Sequence, residues 1–191
     1  MSDVKIYESS YFYDDGGQFL EDKAKEAFYD MFERFHYPLT DFLRENMWVA
    51  DFGMGDFARC GMGGVFWLNR KEFSYFGHEI FLLPLQMIPE HAHHATDMAA
   101  KMESWQVRHG SIYNFGEGEP TDPLPVDLPQ SQIESIQSVH CDILQPGDLA
   151  HLNRVEAWHF MMGGPEGTIV TEYATYHDGD GLRFSNPAAK M

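Results

Sequence analysis

Apolar residues recur at intervals of three and four from Leu20 to Phe35, as Leu20, Ala24, Ala27, Phe28, Met31, Phe32 and Phe35. That spacing predicts an amphipathic helix. Pro38 ends it, and Thr40 caps a second, shorter helix through Asn46 with Phe42 and Leu43 on its apolar side. The two helices are expected to lie as a lid against another layer. From Gly53 the pattern changes. Gly53, Gly55, Gly61, Gly63 and Gly64 punctuate a loop, and short runs rich in Val, Ile, Phe and Tyr follow. Gly64–Leu68, Glu79–Leu85, Trp105–Phe115, Ser138–Leu144 and Gly167–Tyr176 read as strands, with Asn69–Phe73 as a hairpin link. The segment from Gly116 to Gln130 holds Pro120, Pro123, Pro125 and Pro129 and reads as a loop. Helices followed by many short strands, without βαβ alternation or a phosphate-loop glycine pattern, predict a mainly β sandwich or barrel with an N-terminal helical extension.

Composition narrows the partners. The 191 residues fit one domain with a modest extension. Thirteen Lys and Arg against 30 Asp and Glu give a net charge of −17. Such a surface repels phosphate backbones and anionic lipid, so neither nucleic acid nor membrane is an expected partner. Two cysteines, Cys60 and Cys141, form no disulfide framework and no zinc or redox motif. Together with a start, Met1-Ser2-Asp3-Val4-Lys5, that lacks a secretion-signal pattern, they lead us to expect a cytoplasmic protein.

The chemistry concentrates in Pro89-Glu90-His91-Ala92-His93-His94. Residues two apart on a strand share a face, so His91 and His93 present two imidazoles together. Glu103 is the candidate carboxylate partner, and His159, in Trp158-His159-Phe160, is a candidate third imidazole. This set suits Mn, Fe, Ni or Zn. His94 replaces His93 if the strand carries a bulge and otherwise points outward. His-x-His, then Glu, then Gly110 on the same strand, then a distant His after Pro146-Gly147-Asp148, is the order of a cupin.

With these pieces in place the chain resembles the cupin-type sugar isomerases, specifically the D-lyxose isomerase-like group. The resemblance runs from about Asp51 to Pro187. It rests on Gly53-Met54-Gly55-Asp56-Phe57, Gln86 through His93, Lys101-Met102-Glu103-Ser104, and Pro146-Gly147-Asp148. Further on it rests on His159-Phe160, Gly164-Pro165-Glu166-Gly167, Thr171-Glu172-Tyr173 and Arg183-Phe184-Ser185-Asn186-Pro187. It implies a cupin (double-stranded β-helix, jelly-roll) barrel over 51–191, with 1–50 as the helical extension. It also implies a homodimer and one divalent metal, Mn²⁺ before Fe, Ni, Co or Zn, on His91, His93, Glu103 and His159. The implied activity interconverts D-lyxose with D-xylulose or D-mannose with D-fructose. The chain departs from the family pattern at His78, where relatives often carry Lys. It departs again at Pro84-Leu85-Gln86 and at Asn153 through Trp158.

Aldose–ketose exchange moves a proton between C2 and C1, so a carboxylate must take and return it while a cation stabilises the enediolate. Glu172 is the candidate base, because on a strand through Val170-Thr171-Glu172-Tyr173-Ala174 it shares a face with Val170 and Ala174. Lys101, two residues before Glu103, is a candidate to hold a sugar oxygen. Arg183 is a candidate substrate contact, and Trp105 and Tyr113 are candidates to stack on a sugar face. Two other readings compete with the isomerase: a cupin dioxygenase, which would take up oxygen, and a cupin that binds a small ligand without chemistry.

Overall fold

The computed structural model describes residues 3–191. After a 3₁₀ turn at Ser9–Phe12, helix α1 spans Glu21–Phe35 and α2 spans Asp41–Asn46. Thr40 caps α2 as its sequence predicts, its hydroxyl accepting from the Leu43 amide at 3.3 Å. Nine strands follow: β1 Trp48–Ala50, β2 Met62–Arg70, β3 Tyr75–Leu82, β4 His91–His93, β5 Glu103–Gly116, β6 His140–Leu144, β7 Leu149–His151, β8 Phe160–Ala174 and β9 Leu182–Phe184. All pairings between these strands are antiparallel.

The register explains how one chain closes into a two-layered barrel. The C-terminal half of β8, from Thr168 to Ala174, lies between β3 and the first half of β5. The N-terminal part of β8 changes neighbours. Phe160–Gly163 pairs the second half of β5, while Met161 accepts from the Ile88 amide and His159 bridges to His91 in β4. Strand β4 in turn pairs β9. Thus β5 and β8 each run through both layers, the arrangement of a jelly roll. Their ladder shifts register twice, between Val107 and His109 and between Gly110 and Ile112. Such bulges bend a strand and tighten its twist. Gly110 sits there at φ +69°, and a Cβ on it would meet the Gly167 carbonyl oxygen at 2.0 Å.

Alternation along β3 divides the core. Ile80 and Leu82 face the barrel interior with Ile88, Trp105, Val107, Ile112, Met161 and Val170. Phe81 faces the other way, onto α1, against Phe28 and Phe32. Each of these buried rings contributes roughly 1.5–3 kcal/mol by removal from water. The polar anchor of this lid is Tyr37, whose hydroxyl donates to the buried Glu79 carboxylate at 2.5 Å, while Thr171 donates to its other oxygen. Strand β1 pairs β2, so the sheet begins inside the 1–50 segment.

Several strand expectations change; strand β3, expected over Glu79–Leu85, begins at Tyr75 and ends at Leu82. Strand β8 begins at Phe160, seven residues before the expected Gly167. Two glycines in this earlier stretch permit close approach of neighbouring chain. A Cβ on Gly163 would meet the Leu83 carbonyl oxygen at 2.7 Å, and one on Gly164 would meet Ser111 Oγ at 2.1 Å. Strands β1, β7 and β9 were not expected, being three residues each and too short to show alternation. Among the described residues no helix is long and apolar enough to cross a membrane.

Candidate metal and active site

The barrel encloses a cavity of about 660 Å³ measured out to its mouth. Three imidazoles meet in its wall. His91 and His93 come from β4, and His159 is held beside them by paired backbone hydrogen bonds of 3.0 Å between His91 and His159. One ligand atom from each lies within 4.8 Å of the others. Backbone carbonyls fix two of the tautomers. His91 Nδ1 donates to the Pro89 carbonyl and His159 Nδ1 to the Ala157 carbonyl, both at 2.9 Å. A carbonyl only accepts, so the Nε2 lone pairs remain free for a cation.

Glu103, from the start of β5, faces these imidazoles. Its Oε1 lies 3.3 Å from His93 Nε2 and its Oε2 lies 3.1 Å from His159 Nε2. Oε2 is buried and makes no directed hydrogen bond. A carboxylate oxygen and a free imidazole nitrogen facing each other are two electron-pair donors awaiting a positive charge. The donor set of three nitrogens and one oxygen therefore fits a divalent metal.

Lys101 links this cluster to a second carboxylate. Its ammonium donates to Glu103 Oε1 at 2.7 Å and to Glu172 Oε1 at 2.5 Å. Glu172 lies on β8 directly opposite His78 on β3, and His78 Nδ1 donates to Glu172 Oε2 at 3.0 Å. All four side chains are buried. Burial works against every charge here, and the partners decide the outcome. Desolvation pushes Glu103 up, but the Lys101 ammonium holds it well below the usual carboxylate range. Glu172 is likewise held low by Lys101 and His78 against burial and the nearby Glu103. Burial lowers Lys101, yet the two carboxylates raise its pKa overall. His159 rises against burial because of Glu103, while burial and the neighbouring imidazoles drive His91 well below its ordinary value.

The remaining candidates divide. Trp105 is buried in the cavity wall, where its ring stacks on His159 at 5.7 Å and 13° and its Nε1 donates to Asn114 at 3.0 Å. It therefore braces the His159 ring. Tyr113 does not reach the cavity. It alternates to the other side of β5 and packs on the cluster of Met87, Phe115, Cys141, Phe160 and Met162. Arg183 is also corrected. Its neighbours Leu182 and Phe184 line the cavity, so strand alternation turns Arg183 outward, where it is exposed and donates to the carbonyls of Asp180 and Leu182. His94 is exposed, so the strand carries no bulge there and His93 keeps its place.

Sequence reasoning missed the partnership of His78 and the whole of His177. His177 lines the cavity with its ring stacked on Phe76, and burial, then Lys101 and His93, push its pKa down to about 4. Asn69 grips its backbone on both sides, accepting from the amide and donating to the carbonyl. The family pattern marks His78 as a departure, but its partnership with Glu172 can be read only once the strand register is known.

No protein-family model matches the chain. It is 30% identical over 170 residues to the D-lyxose/D-mannose isomerase of Thermosediminibacter oceani, covering 88% of this chain and 92% of that one. It is also 30% identical over 166 residues to the D-lyxose ketol-isomerase of Cohnella laeviribosi, covering 86% and 90%. Among solved structures, an Acinetobacter L-ribose isomerase in complex with L-ribose matches with a TM-score of 0.66 at 18% identity, covering 88% of this chain and 92% of that one. That likeness is one of fold and agrees with the barrel described above. With near-complete coverage by curated relatives and a cupin barrel beneath it, the chain belongs to the D-lyxose ketol-isomerase family of sugar isomerases.

Proposed function

We propose that this protein is a divalent-metal-dependent isomerase that interconverts an aldose and its ketose, with D-lyxose and D-mannose as the first substrates to consider. The carrying observation is the Lys101 ammonium set between Glu103 of the imidazole cluster and Glu172. It puts a base and a hydrogen-bond donor beside a metal-ligand set in one apolar-walled cavity.

His91, His93, Glu103 and His159 would hold the cation, Mn²⁺ before Fe, Co, Ni or Zn. When bound it would supply Lewis acidity that stabilises the enediolate. Glu172 is ionised at neutral pH and takes the proton from C2 of the open-chain aldose and returns it to C1, while the O2 hydroxyl proton passes to O1 of the enediolate. Lys101 stays an ammonium and donates to the oxygen that gains charge as the enediol forms. Trp105 keeps the His159 ring from rotating. Phe52, Phe66, Phe76 and Phe184 keep water from quenching the transferred proton. The enzyme works as a homodimer. Free, buried Cys60 and Cys141 suit the cytoplasm, where thiols stay reduced.

The test is proton NMR in D₂O with Mn²⁺-loaded protein and D-lyxose, D-mannose or L-ribose. Deuterium at the exchanging carbon, or ketose product, is the expected result, and Glu172→Gln abolishes both. Neither exchange nor ketose from any of the three sugars overturns the reading.

A further inference from the structure

We propose that His78 is a positioning residue that fixes the orientation of the Glu172 carboxylate for proton transfer, with Gly64 as the close floor on which its imidazole rests. The inference builds on the reading of Glu172 as the base. A carboxylate on a two-carbon stem rotates freely unless both oxygens are held. Here Lys101 holds Oε1 at 2.5 Å and His78 Nδ1 holds Oε2 at 3.0 Å, so the carboxylate plane is set from two sides. Each oxygen keeps a lone pair beyond the one engaged, which is what accepting a proton from carbon requires.

The imidazole is itself locked. His78 and Glu172 are direct partners across β3 and β8, and both side chains are 6% exposed. The Trp48 ring stacks on His78 at 5.5 Å and 23°, and Phe66 meets it edge-on at 4.9 Å. The other ring nitrogen, Nε2, is buried without a partner. It lies over Gly64, where a Cβ would sit 2.4 Å away. The carboxylate accepts from Nδ1, so the hydrogen is there, and Nε2 is a bare lone pair against a Cα. A hydrogen at Nε2 would be buried with no acceptor, so Nδ1 is the nitrogen that donates. With one nitrogen engaged and the other walled off, neither reaches a substrate. His78 therefore acts through Glu172. Lys101, Glu103 and His177 are the other ionisable groups facing that carboxylate.

The test compares two polar replacements in metal-loaded protein. In His78→Asn the amide nitrogen falls where Nδ1 was. In His78→Gln it falls nearer Nε2 and misses Oε2. A misplacement of about 1 Å in a reacting group can lower turnover roughly 100-fold. His78→Asn is expected to keep kcat for D-lyxose or D-mannose within about five-fold of the parent. His78→Gln is expected to lose roughly 10–100-fold in kcat with KM and metal content nearly unchanged. Equal kcat in the two variants overturns the proposal, as does a loss that appears in KM alone. If Glu172→Gln still exchanges C2 deuterium, the base assignment fails first and the role of His78 falls with it. If Glu172→Gln is inactive while His78→Gln is fully active, only the positioning role fails.

Discussion

Replacing Lys101 with Met removes one positive charge from between two buried carboxylates and leaves the side-chain length nearly intact. The ammonium, Glu103 and Glu172 have side chains only 4–6% exposed, so water cannot take its place. Removing one member of a buried ion pair typically costs about 3–5 kcal/mol, because the partner is left charged in a poor solvent. Here two partners are left: Glu172 keeps a donor in His78, while Glu103 faces only the imidazole nitrogens of His93 and His159. The expected loss in metal-free protein at pH 7.5 is therefore about 3–5 kcal/mol in urea unfolding. The loss should shrink when Mn²⁺ is present, since the cation restores a positive charge to Glu103. The pH dependence should also invert. In the parent both carboxylates titrate below their unfolded value of about 4.3, so their stabilisation is present above that value and is lost as pH falls through the folded pKa. In Lys101→Met, desolvation dominates and raises them, so acidification from pH 7.5 to 5.5 should stabilise the variant. Lys101 itself, raised by its partners, gives the parent a stabilisation present below about 10.4 and lost as pH rises through its folded value. A metal-free variant that loses less than about 1 kcal/mol would refute the picture of an ammonium balancing two buried charges. A pH slope unchanged from the parent would do the same.

Three further outcomes follow from other parts of the structure. Gly110→Ala forces a Cβ to 2.0 Å from the Gly167 carbonyl at φ +69°, so thermal unfolding should show a loss of at least about 3 kcal/mol. Arg183→Ala should leave kcat, KM and stability within about 0.5 kcal/mol of the parent in steady-state assays and melting curves, because the side chain is exposed and holds only neighbouring carbonyls. His177 titrates near 4 in the fold against about 6.5 unfolded, so its contribution is complete above pH 6.5 and fades as pH falls toward 4. His177→Phe should flatten the stability of metal-free protein over that window by about 2–3 kcal/mol relative to the parent.

What the sequence discloses follows the reach of each signal. The period of three and four marks α1 because its buried stripe of Ala24, Ala27, Phe28, Met31 and Phe32 is long enough to repeat. The His-x-His pair is legible because strand alternation is local. The partnership of Lys101 with Glu103 is half legible, two residues apart, but its second arm to Glu172 spans 71 positions and depends on barrel closure. Arg183 and Tyr113 were misplaced for one reason: the side of a strand that faces the cavity cannot be read from the strand alone. Leu182 and Phe184 face in, so Arg183 cannot. The early half of β8 hid behind glycines that look like turn residues and are in fact sites where other chain segments press close.

The same geometry constrains how the reaction can be run. Lys101 contributes one positive charge and Glu103 and Glu172 two negative ones, so with neutral imidazoles the cluster carries 1 − 2 = −1. A divalent cation brings that sum to +1, which a neutral sugar can enter without adding charge to a dry cavity. In the proposed reaction, moving the C2 proton onto Glu172 shifts one negative charge from the carboxylate to the sugar and leaves the total unchanged. The barrier therefore depends on distance and orientation more than on net charge, and both are fixed by contacts across β3, β5 and β8. A site of this kind tolerates changes on the outer face of its wall, such as Arg183. It does not tolerate small changes in the wall that aims the carboxylate. If mutations on that outer face lowered kcat more than mutations at His78 or Lys101, charge balance and aim would not be what this barrel supplies.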